Sequence, residues 1–268
     1  MALAERVIQQ LLKGLSRESL DMNASLNDSL RLLSKWRSVL IQNTLLGEEG
    51  TRVLGGPLKG LEFIENSAEG CHIAKLLGCY EQPLHQYINR VFTGNYTKII
   101  NIGCAEGYYA VGFARLIPSI ISLAFDTDPK AQEACKLLAK KNGVSDRVIV
   151  GGQFGIEDFA KFEKEEALVF CDIEGGEKEL LDPEIAPALR KLDIIVESHE
   201  CLCTGITQTL LARFKSTHDI EIVEDHGSRQ LENPPSWFAQ LAHLDQLLAI
   251  WEWRSGPTPW LVMRSKFA

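Results

Sequence analysis

The chain has 268 residues, 45% of them hydrophobic and 24% charged, which is enough for one large α/β domain with an appendage and excludes a disordered chain. A net charge of −8, with no Lys/Arg run longer than a pair such as Lys140-Lys141, argues against nucleic acid as a partner. No run approaches a membrane span, and Met1-Ala-Leu-Ala-Glu-Arg6 lacks the basic region and apolar core of a leader, so a cytoplasmic protein with no membrane partner is expected.

Residues 1–50 read as a helical extension. Leu3, Val7, Ile8, Leu11, Leu12 and Leu15 share one helical face, which Leu26, Leu30, Leu33, Val39 and Leu40 roughly continue, with a break at Gly14–Ser19. Such a face packs on its own domain, covers an active site or pairs with a second copy as a homodimer. Residues 51–268 then form the main domain. Its glycine-rich start predicts a hairpin around Gly55-Gly56-Pro57, and Gly78-Cys-Tyr-Glu81-Gln-Pro83 opens a helix that runs to about Phe92.

The organising stretch is Asn101-Ile-Gly-Cys-Ala-Glu-Gly107, between the apolar strand Lys98–Ile102 and the helix-like Tyr108–Ile117. Small residues at such a turn leave room for a cofactor, and the helix start offers unpaired backbone NH groups. A dinucleotide fingerprint counted from Gly103 needs glycine at 105 and 108, where Ala105 and Tyr108 stand, and no P-loop occurs. What remains, Gly103-x-Ala105-x-Gly107, resembles the first motif of the class I S-adenosylmethionine-dependent methyltransferases. Two positions depart from it: Asn101 replaces an acid and Ala105 a glycine. The resemblance implies cofactor contacts at Asn101, Gly103, Cys104, Ala105 and Gly107. It also implies that Glu81, ahead of the first strand, meets the cofactor's amino group; a surface acid near a helix start is the other reading.

The next strand, Ile121–Phe125, ends at Asp126, the expected ligand of the ribose hydroxyls. Asp128 precedes Pro129 and reads as a helix N-cap. The third strand, Arg147–Val150, runs into Gly151-Gly-Gln-Phe-Gly155; the resemblance implies that Gln153 and Phe154 offer an amide and an aromatic face to the adenine, and a plain glycine-rich loop is the other reading. Strands alternate with helices and are apolar throughout, as in a parallel sheet covered on both faces. The resemblance implies in addition a Rossmann-like, mostly parallel seven-stranded sheet.

Strand four, Ala167–Cys171, ends in Asp172-Ile-Glu-Gly-Gly-Glu177, and strand five, Leu192–Val196, ends in Glu197-Ser-His199-Glu200. Polar groups from two neighbouring strands thus meet at the carboxyl edge of the sheet, where open α/β sheets bind ligands. Asp-x-Glu-Gly-x-Glu followed by an apolar strand ending in Val-Glu resembles the FkbM-like methyltransferases over residues 78–200, and implies O-methylation of natural products or sugars. Methyl transfer is an in-line displacement that needs alignment, dryness and a base for the acceptor proton. His199 is the first candidate base, as an unperturbed imidazole titrates near neutral pH; Asp172 and Glu197 orient it or bind the acceptor, and Asp172 also borders the cofactor. The same acids could hold a divalent cation, yet nothing in the sequence fixes a ligand set, and no metal is assigned.

Asp219–Val223 and Trp260–Met263 read as the strand pair that closes such a sheet. The intervening excursion, residues 224–259, predicts an amphipathic helix over Trp237–Trp253 and a substrate-side loop holding His226 and Arg229. Seven cysteines without a Cys-x-x-Cys pair read as reduced thiols. The expectation is an S-adenosylmethionine-dependent O-methyltransferase acting on a small polar molecule. N-methylation, or a binding module that has lost catalysis, is the alternative.

Overall fold

The computed structural model describes residues 3–16, 21–65 and 71–267. Helices α1 (Leu3–Leu15) and α2 (Met22–Glu49) form the N-terminal extension, and Asp21 caps α2 by accepting from the Asn23 amide. Residues 17–20, within the expected break, lie outside the described residues. Along the apolar stripe Val7 is buried, whereas Ile8, Leu12, Leu26 and Leu30 are exposed; beyond it, Ile41 and Leu45 of α2 are buried. The expected hairpin is present as a bridge between Arg52 and Glu62 that turns through left-handed Gly56.

Helix α3 (His72–Leu77), a 3-10 turn at Gln82–Leu84 and α4 (His85–Val91) lead into the sheet. Its elements follow as β1 (Lys98–Ile102), α5 (Tyr108–Leu116), β2 (Ile121–Phe125), α6 (Pro129–Lys141), β3 (Val148–Gly151), β4 (Ala167–Cys171), α7 (Glu177–Leu180), β5 (Asp193–Glu197), α8 (Ile206–Phe214), β6 (His218–Val223), α9 (His243–Ile250) and β7 (Trp260–Ser265). The order across the sheet is β3-β2-β1-β4-β5-β7-β6. The first five strands are parallel; β7 enters antiparallel between β5 and β6. This is the Rossmann-like, mostly parallel seven-stranded sheet expected from the sequence, with the helical extension at its N-terminus.

Alternate residues of the central strands feed two cores. Ile100, Ile102, Val169, Ile194 and Val196 pack with Leu210 and Phe214 on one face, while Ile99, Phe170 and Ile195 pack with Phe113 on the other. Both faces are dry, which is why the strands read as continuous apolar runs. The strand order reverses between β1 and β4, so the loops leaving these two strands diverge and open a crevice at the carboxyl edge.

The excursion differs from expectation. A single helix over Trp237–Trp253 is not formed; a 3-10 turn at Phe238–Gln240 and the eight-residue α9 replace it. Asp245 of α9 is held by a bidentate pair with Arg37 of α2, at 2.6 and 2.7 Å, which docks the excursion on the extension. Beyond Ile250 the chain turns extended, and Glu252 reaches a buried ion pair with Arg229 at 2.5 Å. Satisfying that inward carboxylate outweighs continuing the helical stripe.

Candidate functional site

The β1–α5 turn is shaped by contacts within the protein. Gly103 has φ +75°, and a Cβ there would lie 1.6 Å from the carbonyl oxygen of Asp172. Gly107 has φ +90° and a Cβ there would meet Cys135 Sγ of α6 at 2.6 Å. The turn is thus pressed between β4 and α6, and small residues are required before any ligand arrives. Ala105 takes φ +46° without glycine's freedom. Its amide donates to Asp126 Oδ2 at 2.8 Å, while Asp126 Oδ1 accepts from the Asp128 amide at 2.8 Å. Asp128 caps α6 as expected, accepting from the Lys130 amide at 2.9 Å.

A cleft of about 620 Å³ opens above this turn, walled by Gly103, Asp126, Gln153, Phe154, Asp172 and Glu174. Its volume falls in the range of small-molecule sites. Gln153 is exposed, whereas Phe154 is anchored edge-on against Phe125 and Phe159 and gives the cleft a rigid apolar wall. Five expected cofactor contacts are not brought into the walls: Glu81, which lies in the acidic cluster described below, and four at the turn. Asn101 faces the sheet interior, where its amide nitrogen donates to the Phe170 carbonyl at 3.4 Å. The Cys104 side chain is buried in the core beneath the turn. Ala105 commits its amide to Asp126, and Gly107 is covered by Cys135. Two-residue periodicity along a strand and turn cannot tell which alternate side chains face a ligand and which face the core.

A second pocket, of about 270 Å³, adjoins the cleft and shares Asp172 and Glu174 with it; Lys35, Tyr80, His199 and Arg254 line its other sides. The polar ends of β4 and β5 converge here. Glu177 is fully buried at the start of α7 and accepts from the amides of Ile173 and Gly175 at 3.1 and 3.3 Å and from His199 Nδ1 at 2.8 Å. That bond fixes the ring, so Nε2 faces Asp172 Oδ1 and Glu174 Oε2, each at 3.5 Å, and Glu197 Oε2 at 3.7 Å.

The electrostatics follow from burial among like charges. Burial pushes the Asp172 carboxyl well above its usual range, and the charges of Glu197, Glu81 and Glu174 add to it. Glu81 is driven up to about 7 by burial and by Glu197, partly offset by Arg254. Burial would lower His199, but the hydrogen bond it donates to Glu177 and the charges of Glu197, Glu177 and Glu174 outweigh it and raise the imidazole. The premise of an unperturbed imidazole therefore does not hold: the ring favours a positive charge where a base must be neutral.

Arg254, from the segment after α9, reaches into the cluster. It pairs with Glu197, with Glu81 at 3.1 Å and with Glu252 at 3.1 Å. Glu81, left-handed at φ +51°, also accepts from Tyr109 Oη at 2.6 Å. It lies beside Asp172 and Glu197, on the inner side of the cluster. Arg229, expected as an acceptor contact, is instead buried in pairs with Asp225 and Glu252 at 2.5 Å each, and His226 is exposed. Sequence reasoning missed Arg254, Tyr109 and Lys35, which no motif marks. Glu177 was legible as the last acid of Asp-x-Glu-Gly-x-Glu, although its hold on His199 was not.

No family model matches this sequence, and no curated protein matches it either. Among solved structures, similarity is found to an O-methyltransferase from Bacillus cereus in complex with SAH, at 14% identity over 70% of this chain and 81% of that one, with a TM-score of 0.45. It is found also to the O-methyltransferase TomG from Streptomyces achromogenes in complex with SAM (12%, 69% and 79%, TM-score 0.46). The human methyltransferase 10 domain containing protein is a third (13%, 88% and 98%, TM-score 0.47). At such identities the likeness concerns the fold alone, and the functional reading rests on strand order and on the site.

Proposed function

We propose that the chain is an S-adenosylmethionine-dependent methyltransferase that methylates an oxygen of a small polar molecule. The observation that carries this reading is the meeting of two cavities at Asp172 and Glu174: a nucleoside-sized cleft over the β1–α5 turn and a smaller polar pocket at the end of β5. A transfer between two bound molecules needs such a shared wall, since the reacting atoms must come within about 3–3.5 Å. In this reading Asp126 accepts from the ribose hydroxyls, Gln153 and Phe154 border the base, and Glu81 and Asp172 face the sulfonium and amino end, whose positive charge favours their ionised forms. The carboxylates of Glu81, Asp172, Glu174 and Glu197 outnumber Lys35 and Arg254 here, which suits a cationic methyl donor.

The acceptor hydroxyl sits at the edge formed by Asp172, Glu197 and His199. Bound S-adenosylmethionine would supply the methyl group and be left as a neutral thioether as the methyl carbon's bond passes from sulfur to oxygen, and this polar edge would take up the acceptor proton. Glu197 Oε2 is suited to receive it, because Arg254 holds the other oxygen of that carboxylate. The sequence motif after β4 supports an FkbM-like affiliation within the class and, with it, a hydroxylated natural product or sugar as acceptor. We further propose that residues 51–268 are the catalytic domain, residues 1–50 its appendage with an exposed stripe available to a second copy, and the cytoplasm its place of action. Among the described residues no helix is long and apolar enough to cross a membrane.

Incubation of the chain with methyl-labelled donor and a panel of hydroxylated metabolites tests the reading. Label recovered in a methyl ether supports it; label recovered only on nitrogen assigns N-methylation, and binding of the donor product without transfer to any acceptor assigns the non-catalytic module.

A further inference from the structure

We propose that Asp172, Glu174 and His199 form a divalent-cation site in the pocket at the end of β5, with Glu177 as the group that orients the imidazole. Three observations converge. First, the donor atoms of these three residues all lie within 4.8 Å of one another. The two oxygens stand 3.5 Å from His199 Nε2, longer than the 2.7–3.2 Å of a good hydrogen bond. Two donors bound to one ion at roughly 2.1 Å each would stand about 3.0–3.4 Å apart. The spacing is that of ligands around a shared centre.

Second, His199 is 4% exposed and its Nε2 makes no hydrogen bond, yet it is aimed into the cluster. Because Nδ1 is the nitrogen bonded to Glu177, it is Nε2 that is turned toward three carboxylates. That setting favours a positive charge at Nε2, which a divalent cation can supply in place of the ring's proton. Third, Glu177 is fully buried, tied down by two backbone amides, and spends the same oxygen on Nδ1. A carboxylate behind the remote nitrogen of an imidazole is the usual means of fixing the tautomer and orientation of a histidine ligand. Glu197, by contrast, is committed to Arg254 and is not needed as a ligand.

One imidazole and two carboxylates suit Mn²⁺, Fe²⁺ or Zn²⁺ better than Ca²⁺ or Mg²⁺. Three protein ligands leave coordination positions open toward the pocket, and an acceptor oxygen can fill one and be acidified there. This role for the ion rests on the methyl-transfer reading, whereas binding of the ion does not. It also places His199 as a ligand and leaves proton removal to Glu197.

The test uses the full chain stripped of metal by a chelator, with Mn²⁺ as the probe and the spin-resonance signal of the free ion as the readout. One saturable site is expected. Glu174→Gln, at a side chain 67% exposed and therefore safe for folding, and His199→Ala should each weaken it at least 10-fold. Glu177→Gln should weaken it about 10- to 100-fold, as loss of an orienting partner does. Glu221→Gln, remote on β6, should leave it unchanged. Absence of saturable binding up to millimolar Mn²⁺, or binding indifferent to Glu174→Gln and His199→Ala, overturns the proposal. S-adenosylhomocysteine binding measured on the same samples separates the two readings: retained nucleoside binding without Mn²⁺ refutes only the ion site, and the converse refutes only the cofactor.

Discussion

Gly103→Ala probes the contact on which the site is built. Two costs apply. Alanine at φ +75° is in the left-handed region, at about 1–2 kcal/mol. The new Cβ also falls 1.6 Å from the Asp172 carbonyl oxygen, and a backbone atom in a parallel ladder cannot rotate away, so β1 and β4 must separate at their carboxyl ends. Overpacking of this kind costs a further 1–3 kcal/mol or so. The sum, about 2–5 kcal/mol, corresponds to a fall in melting temperature of roughly 4–20 °C at 2–4 °C per kcal/mol. Gly143→Ala is the control: its φ is +67°, but nothing lies within 4 Å of the added atom, so only the backbone cost of about 1–2 kcal/mol remains. Thermal melts followed by circular dichroism compare the two. If Gly103→Ala melts no lower than Gly143→Ala, the close approach of the turn to Asp172 is refuted.

His72 sets an acid limb of stability. It is buried with both ring nitrogens unpartnered, and burial, with Lys75 nearby, lowers its pKa to about 4. The unfolded chain therefore binds more protons between about pH 6.5 and pH 4, so stability falls as pH drops through that window, by about 3 kcal/mol in all. His72→Leu should flatten that limb in denaturant melts at pH 7 and pH 4.5, and an unchanged limb would contradict the assignment. Ala105→Gly should raise stability by about 1 kcal/mol by relieving the left-handed strain at φ +46°; a loss of stability in the same melts would mean the methyl group is needed.

Much of the fold was legible because strand ends and helix caps are local signals. Every strand of the sheet was placed within a residue or two from apolar runs and turn residues, and Asp128-Pro129 marked its helix by chemistry the structure repeats. The site was legible where a residue follows a strand directly: Asp126, Asp172, Glu197 and His199 all reach the carboxyl edge. It was illegible where distance in sequence hides proximity. Arg254 meets Glu81 across the whole domain, and no spacing announces that pair. The glycine turn misled in a different way, since its smallness serves β4 and α6 as well as any ligand. The excursion's helical stripe was overridden by the ion-pair partners of Asp245 and Glu252, tertiary contacts that periodicity does not contain.

The most direct test of the central claim, that the cleft over Gly103 holds S-adenosylmethionine, is the stability shift with its product, S-adenosylhomocysteine, measured beside NAD. At about 100 times its dissociation constant the nucleoside should add roughly 2.7 kcal/mol, a rise of several degrees. Asp126→Ala should lose most of that rise, since hydrogen bonds to a charged group are worth about 1.5–3 kcal/mol. A shift with the nucleoside alone that Asp126→Ala abolishes is the predicted result. No shift with the nucleoside, or an equal shift with NAD, would contradict the account.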